Sequence, residues 1–193
     1  DNANAIDPEL ITPDTFAAEW KYDGVRIQAS VEGTVRRIYT RTGDDISHTF
    51  PDVLAGMTFQ GTLDGELLVR AEDGEGVAPF NALQQRLNRK TVTKRLMDSH
   101  PAFIRAYDLL HDGEADLRAL SFQDRRNALE DFIARHGTER LDLSPLVPVT
   151  NLQDLDTLRM NPPAPEIEGL MLKRWDSAYV AGRPAGLWYK WKR

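Results

Sequence analysis

The sequence predicts an α+β fold in which antiparallel sheets are flanked by helices. Short segments rich in Val, Ile, Phe, Tyr and Trp, with partial alternation of apolar and polar residues, are typical of strands. They occur at 17–22, 25–31, 35–40, 61–69, 102–109, 168–173 and 187–192. Turn residues separate the early strands, and helical patterns are interspersed among the strands. This arrangement favours sheets built from hairpins over a doubly wound parallel sheet.

Turn and cap residues mark the boundaries of these elements. Gly24 and the Glu32-Gly33 pair predict turns that join the first three strands as an antiparallel meander. Ser121 is a suitable N-cap for the third predicted helix, and Gly137 is a suitable terminator. The loop 161–165 (Asn-Pro-Pro-Ala-Pro) closes the fourth helix. The four predicted helices cover 79–88, 91–98, 121–135 and 151–160.

Composition sets broad limits on the class of protein. The 193 residues fit one large domain or two small ones and can bury a hydrophobic core. No apolar run approaches the roughly 18 residues of a membrane span, and no signal peptide is present, so we expect no membrane association. The absence of cysteine excludes disulfides and thiolate metal sites, and it fits a reducing, cytoplasmic location.

The charge is distributed unevenly along the chain. The formal net charge is −6, which by itself argues against a nucleic-acid partner. Residues 173–193, however, contain six basic residues and one acidic residue, whereas the preceding 172 residues contain 18 basic and 29 acidic residues. A basic end on an acidic body is either a tail or a site for a polyanion, and composition leaves both readings open.

The segment Lys21–Arg26 (Lys-Tyr-Asp-Gly-Val-Arg) lies where one predicted strand ends and the next begins. A lysine at a strand end can be fixed beside a pocket. Taken alone, the segment is better explained by a hairpin that carries a surface lysine and an Asp-Gly turn. The motif becomes informative only through the segments that follow it.

Several later strands carry charged residues within apolar runs. They are Leu63–Leu68, Phe103–Leu110, Glu168–Lys173 and Trp188–Lys192, and Thr40–Gly43 closes an earlier strand before them. A charged group inside an apolar strand is costly unless it is paired or has a function. The recurrence of this feature in four strands therefore requires a common explanation.

This ordered set resembles the motifs of the covalent nucleotidyltransferase superfamily, which comprises ATP-dependent DNA ligases, RNA ligases and messenger-RNA capping enzymes. The resemblance runs from Glu19 to Lys192. The opening Glu19–Arg26 and the stretch Phe80–Arg86 are most similar to DNA ligases of bacterial type. The resemblance implies an adenylation domain over 1–193, with a nucleotide pocket between antiparallel sheets.

The resemblance implies that Lys21 is the nucleophile that attacks the α-phosphorus of ATP and becomes attached to AMP. Lys190 and Lys192 match lysines that contact the α-phosphate, and residues two apart on a strand point to the same face. Nearby cations and desolvation favour the neutral amine that the reaction requires. Without the other motifs, these two lysines would be read equally well as a solvated basic strand edge. Glu168 matches the carboxylate that holds Mg²⁺.

The remaining matches concern the rest of the nucleotide. Glu19 matches the acid that reads the adenine amino group, and Tyr107 replaces the usual Phe that stacks on adenine. Considered alone, Tyr107 would be read as a core residue. The other matches are Arg26 and Glu66 with the ribose hydroxyls, Arg41 with the phosphates and the DNA 5′ end, and Lys173 with the phosphates. Asp23 serves the turn, the metal or proton transfer.

The resulting expectation is an ATP-dependent DNA ligase core that uses ATP and Mg²⁺, forms a covalent AMP intermediate and acts as a monomer on nicked double-stranded DNA. We expect the oligonucleotide-binding-fold domain and the N-terminal DNA-binding domain of full ligases to be absent from this chain. The alternatives are an RNA ligase or capping guanylyltransferase, and a non-catalytic nucleotide-binding module. Glu19 as an adenine reader argues against GTP, and the retained nucleophile and carboxylates argue against a degenerate module.

Overall fold

The computed structural model describes residues 2–181 and 187–193. Within these residues the strands are β1 (Phe16–Tyr22), β2 (Val25–Glu32), β3 (Val35–Thr40), β4 (Gly61–Val69), β5 (Ala102–Asp112), β6 (Ala115–Asp116), β7 (Leu141–Leu143), β8 (Leu146–Val147), β9 (Ile167–Arg174) and β10 (Trp188–Lys192). The helices are α1 (Pro51–Ala55), α2 (Phe80–Gln84), α3 (Lys94–Ser99), α4 (Phe122–His136) and α5 (Leu152–Met160). Short 3-10 helices cover Ala3–Ala5, Pro8–Leu10 and Ser47–Thr49. Arg183, one of the basic residues counted above, lies outside the described residues.

The chain divides into two compact units. The first is formed by Asp1–Tyr22, Arg118–Arg125 and Ser144–Arg193. It contains a four-stranded antiparallel sheet in the order β10-β9-β1-β8. Its core combines one face of this sheet with residues from the N-terminal segment and α5; the core includes Ile6, Ile11, Phe16, Ala18, Leu155, Leu170 and Leu172.

The second unit is formed by Asp23–Leu117 and Arg126–Leu143. Its sheet has the order β3-β2-β4-β5-β6, and β7 adds to β5 as a parallel strand. The apolar sides of β2, β4 and β5 pack with α1 and with the later turns of α4; the core includes Ile27, Ala29, Leu63, Leu67, Ile104, Val53 and Phe132. Both sheets are predominantly antiparallel and carry helices, which confirms the predicted α+β class.

Most predicted elements are present with small boundary differences. Each of the seven predicted strands is observed, and the helices predicted at 121–135 and 151–160 begin and end within one residue of α4 and α5. Ser121 caps α4, since its hydroxyl accepts from the Asp124 backbone N–H at 3.2 Å. Gly137 follows the last helical residue and donates to the Ile133 carbonyl. The helices predicted at 79–88 and 91–98 are shorter than expected, at five and six residues.

The prediction that Gly24 turns β1 into a hairpin with β2 is wrong. β1 is an inner strand of its sheet: it pairs with β9 along one edge and with β8 at Ala18 and Glu19 on the other, and it does not pair with β2. β2 pairs instead with β3 and β4. Gly24 is needed for another reason: a Cβ there would lie 2.5 Å from the Leu67 carbonyl oxygen, so only glycine permits this close backbone approach. The second predicted turn is confirmed, because β2 and β3 form a hairpin with Gly33 at a φ of 60°.

No helix within the described ranges is long and apolar enough to cross a membrane.

Candidate active site

Five of the residues predicted from the sequence lie on one face of the β10-β9-β1-β8 sheet. Directly paired residues of antiparallel strands point to the same side of a sheet. The pairing defines three rows across β1, β9 and β10 on this face: Ala17–Lys173–Trp188, Glu19–Met171–Lys190 and Lys21–Gly169–Lys192. The opposite face is apolar and forms the core of the unit. Period-two alternation therefore places three lysines, the nucleophile candidate and an acid on a single surface.

A β-bulge brings Glu168 onto this surface. Lys21 pairs with Gly169 and Tyr22 pairs with Ile167, so Glu168 is the extra residue in β9. Strict alternation would place Glu168 on the core side together with Leu170 and Leu172. The bulge re-aims the side chain instead, and Lys21 Nζ donates to Glu168 Oε2 at 2.6 Å. The two side chains are 25% and 31% exposed, so this ion pair is accessible to a ligand.

Gly169 is required by the close packing of β9 against β10. Its φ is 151°, and a Cβ at this position would lie 2.2 Å from the Trp191 carbonyl oxygen. The absence of a side chain also leaves the middle of the Lys21–Gly169–Lys192 row open. Strands are spaced by about 4.8 Å, so the backbones of Lys21 and Lys192 are about 10 Å apart across this gap. Long lysine side chains can both reach a group placed between them.

Lys190 and Lys192 are exposed on the edge strand β10. A cleft of about 340 Å³ lies beside them, and its lining consists of Asn2, Asn4, Arg159, Lys190, Trp191 and Lys192. Arg159 holds the end of the strand: its guanidinium donates to the Lys192 carbonyl at 2.7 Å and lies 4.5 Å from the Trp191 ring centroid. Arg159 of α5 therefore holds in place the strand that carries the two lysines.

Glu19 and Lys173 form a buried ion pair. Lys173 Nζ lies 2.5 Å from Glu19 Oε2, and each side chain is only 2% exposed. The ammonium group also lies 4.2 Å from the Trp188 ring centroid and 5.4 Å from that of Phe122. The sequence assigned Lys173 to the phosphates and Glu19 to the base. In the structure these two residues contact each other.

The remaining predicted residues belong to the second unit. Arg26 pairs with Glu66, Glu66 with Arg105, and Arg105 with Asp142, which forms a row of alternating charge across β2, β4, β5 and β7. Two hydrogen bonds of 3.1 Å join the Arg105 guanidinium to Asp142. Opposite charges on directly paired residues stabilise a sheet, and the row holds Glu66 between two arginines.

Three partners in this unit were not predicted from the sequence. Asp64 is 1% exposed and accepts from Arg26 Nη2 at 2.9 Å. Asp64 and Arg105 each stand two residues before a predicted site residue, Glu66 and Tyr107, and the period-two alternation of a strand could have indicated both. Asp142 carries no such signal, because it lies in a three-residue strand.

Tyr107 and Arg41 occupy less regular positions. Tyr107 is the extra residue of a second bulge, between the Gly65–Ala106 and Asp64–Asp108 pairs, and its side chain is half-buried. Arg41 is exposed in the turn that follows β3. The predicted site residues thus form two groups, one in each unit. The first unit holds Glu19, Lys21, Glu168, Lys173, Lys190 and Lys192, and the second holds Arg26, Arg41, Glu66 and Tyr107.

Comparison with known proteins identifies the family of this chain. A family model described as "ATP dependent DNA ligase domain" matches residues 4–192, nearly the whole chain. The chain belongs to the ATP-dependent DNA ligase domain family. The resemblance inferred from the ordered motifs is therefore confirmed.

Individual members of this ligase family are similar over most of the chain. A probable DNA ligase of Aquifex aeolicus is 33% identical over 186 residues, which cover 91% of this chain and 31% of the relative. A DNA ligase of Methanoculleus marisnigri is 32% identical and covers 98% of this chain and 34% of its own length. The chain thus spans about a third of the length of the curated relatives it matches.

A solved ligase structure confirms the fold class. The structure of mycobacterial DNA ligase D complexed with ATP and MES is 28% identical, with a TM-score of 0.73. The match covers 94% of this chain and 56% of that chain.

Proposed function

We propose that this ligase-family chain is the adenylate-transferring core of an ATP-dependent DNA ligase, with Lys21 as the nucleophile. The observation that carries the proposal is the contact between Lys21 and Glu168, created by a bulge on the sheet face that also holds Lys190 and Lys192. A primary amine, a carboxylate and two cations on one surface suit attack on a nucleotide phosphate.

In the first step, the Lys21 ammonium group, which pairs with Glu168 in the structure, loses a proton to solvent, and the resulting neutral amine attacks the α-phosphorus of ATP. A nitrogen–phosphorus bond forms, the bond from the α-phosphorus to the bridging oxygen breaks, and pyrophosphate leaves while the amine proton passes to solvent. Lys192 and Lys190 stabilise the negative charge on the α-phosphate oxygens in the transition state. Their positions on one face of β10 allow both to reach the same phosphate.

The residues of the site fit a divalent cation supplied together with the nucleotide. The described residues contain no cluster of three or more His, Cys, Asp or Glu side chains that could hold a metal. Mg²⁺ commonly binds through one or two carboxylates together with substrate phosphates and water. Glu168 is the carboxylate that would hold it, and neutralisation of phosphate charge is the chemistry that the cation supplies when bound.

The second unit supplies candidates for the rest of the nucleotide. We assign the ribose hydroxyls to Arg26 and Glu66, whose orientation is supported by the charge row that ends at Asp142. Tyr107 offers an aromatic face for the adenine ring. We assign the phosphates and the 5′ end of DNA to Arg41, which is exposed in the turn after β3.

In the later steps AMP passes from Lys21 to the 5′-phosphate at a nick in double-stranded DNA, as the nitrogen–phosphorus bond breaks and a phosphoanhydride forms. The 3′-hydroxyl then attacks the activated 5′-phosphate and displaces AMP. The basic stretch 173–193 favours contact with the DNA backbone. The chain acts as a monomer in this proposal. A cytoplasmic location is in keeping with the cysteine-free sequence.

The alternatives receive less support. A capping guanylyltransferase would place the guanine carbonyl against Glu19, and a carboxylate has no hydrogen to donate to that carbonyl. A non-catalytic module would have no need of the bulge that joins Glu168 to Lys21. An RNA ligase shares the first step and differs in its polynucleotide substrate.

The experiment is intact-mass analysis after incubation with ATP and Mg²⁺, followed by peptide mapping. We expect one added AMP on Lys21 and none in Lys21→Ala. Lys94→Ala is the matched control, because Lys94 is an 87%-exposed lysine of the second unit whose ion pair with Asp98 is confined to its own helix. An adduct on another residue, or an adduct that survives in Lys21→Ala, would contradict the assignment. Sealing of nicked DNA compared with nicked RNA by the adenylated protein then separates the two ligase alternatives.

A further inference from the structure

The Glu19–Lys173 pair has a location that explains how it forms. The two residues are diagonal neighbours on adjacent strands, since Ala17 pairs with Lys173 and Glu19 pairs with Met171. Diagonal positions are about 7–8 Å apart, which a lysine side chain can span. The residue opposite Lys173 is the small Ala17, which leaves room for Lys173 to lean along the sheet toward Glu19.

The surroundings of Lys173 hold its ammonium group in place. Trp188 is its direct partner on β10, and Phe122 is the first residue of α4. Both rings lie within about 6 Å of the ammonium group, the range in which a cation is attracted to an aromatic face. Two rings and one carboxylate therefore surround the Lys173 ammonium group and direct it at Glu19.

We propose that Lys173 is a positioning residue for adenine recognition, which fixes Glu19 as an oriented carboxylate, and that it is not a phosphate ligand. This inference rests on the proposed function, in which Glu19 faces the nucleotide base. A charged carboxylate only accepts hydrogen bonds. It therefore favours the amino group at C6 of adenine and disfavours the carbonyl at C6 of guanine.

The test compares three nucleotides that carry the same triphosphate group and differ in the base. They are ATP, GTP and purine riboside triphosphate, the last of which lacks the C6 amino group. Binding is measured by calorimetry on the full chain in EDTA, so that AMP transfer does not intervene. A buried hydrogen bond that cannot form typically weakens binding about tenfold. We expect the unmodified chain to prefer ATP over both other nucleotides by about this factor.

In Lys173→Met we expect the preference for ATP to fall to about twofold, with little change in the affinity for purine riboside triphosphate. Lys173→Arg should largely restore the preference, because it keeps the charge. Lys192→Met is the matched control, because the loss of a residue that contacts phosphate should weaken the binding of all three nucleotides equally. Equal weakening of all three by Lys173→Met would overturn the proposal and return Lys173 to the phosphates.

Removing one member of a buried ion pair destabilises a protein more than neutralising both members. A double-mutant cycle with Glu19 therefore controls for misfolding of the single variant. In the Glu19→Gln background, Lys173→Met should not change the ratio of ATP to purine riboside triphosphate affinity. A further change would mean that Lys173 acts on the base without Glu19, and the proposal would fail. The affinity ratios do not depend on formation of the Lys21 adduct. A chain that binds ATP selectively without forming the adduct would therefore refute the ligase chemistry but not the role of Lys173. A chain that binds no nucleotide refutes both.

Discussion

Substitution of Gly169 by alanine tests whether the packing of β9 against β10 organises the sheet face that carries the candidate site residues. A Cβ at this position would lie 2.2 Å from the Trp191 carbonyl oxygen and 2.8 Å from the Lys192 Cα. These are backbone atoms, so the clash can be relieved only by moving β10. Backbone strain at this φ costs about 1–3 kcal/mol, and overpacking costs about 1–3 kcal/mol. We expect the free energy of unfolding to fall by roughly 2–6 kcal/mol, with loss of Lys21 adenylation because β10 carries Lys190 and Lys192.

Two other glycines supply matched controls. Gly33 has a φ of 60°, and a Cβ at this position would have no atom within 4 Å, so Gly33→Ala should cost only the conformational strain of about 1–2 kcal/mol. Gly61 has a φ of 138° and would place its Cβ 2.2 Å from the His111 carbonyl oxygen, but it lies in the sheet of the second unit. Gly61→Ala should therefore lose as much stability as Gly169→Ala.

The assays are urea denaturation followed by tryptophan fluorescence, and the initial rate of Lys21-AMP formation per folded molecule. If Gly169→Ala loses no more stability than Gly33→Ala, the steric argument is wrong. If its adenylation rate per folded molecule equals that of Gly61→Ala, the placement of β10 does not control the reaction.

Two further substitutions test the second unit. Arg86 is fully buried, donates to both oxygens of Asp52 at 2.6 and 2.8 Å, and also donates to the Thr49 carbonyl. We expect Arg86→Met to lower the free energy of unfolding, measured by urea denaturation, by about 3–5 kcal/mol. A loss below about 1 kcal/mol would show that the ion pair contributes little. The Ser47 hydroxyl donates to Asp45 at 2.5 Å and lowers the pKa of that carboxyl, with smaller contributions from the Ser47 backbone N–H and Arg37. Because the pKa is lower in the folded chain, Asp45 stabilises it above the ordinary carboxyl pKa, and this contribution is lost as the pH falls through the folded-state value. The contribution of Asp45 to the free energy of unfolding should be below about 1 kcal/mol because its side chain is 45% exposed. As the pH falls from 6 to 3, the melting temperature should fall less steeply in Asp45→Asn than in the unmodified chain. Parallel curves would contradict the lowered pKa of Asp45.

The sequence predicted most strands because their apolar and β-branched residues are continuous. β4 and β3 have the predicted bounds, since Gly61 and Thr40 mark their ends clearly. The pairing of β1 was mispredicted because Asp23-Gly24 is a strong local signal for a hairpin. The signal is overridden by two long-range partners, β8 and β9, that occupy both edges of β1.

The ordered motifs predicted a set of site residues but not the contacts among them. They singled out Lys21 and Glu168, whereas strict alternation would have placed Glu168 on the core side of β9. A bulge depends on the pairing of two strands, and Gly169 in the sequence indicates only that a bulge or a close backbone approach occurs there, not which side chain it re-aims. The Glu19–Lys173 contact was missed for a similar reason, because diagonal neighbours on separate strands follow from the register and not from the spacing along the chain.

The order of strands in the first unit has a consequence for synthesis of the protein on the ribosome. Lys21 and its partner Glu168 are separated by 147 positions, and β1 obtains both of its neighbours only from residues after position 145. Contacts between residues so distant in sequence form late, because the intervening chain must be made first. The second unit, by contrast, consists of residues 23–117 and 126–143 and is complete before β9 is synthesised. Lys21 is thus made long before Glu168, and a nascent chain that ends before β9 lacks the contact between them.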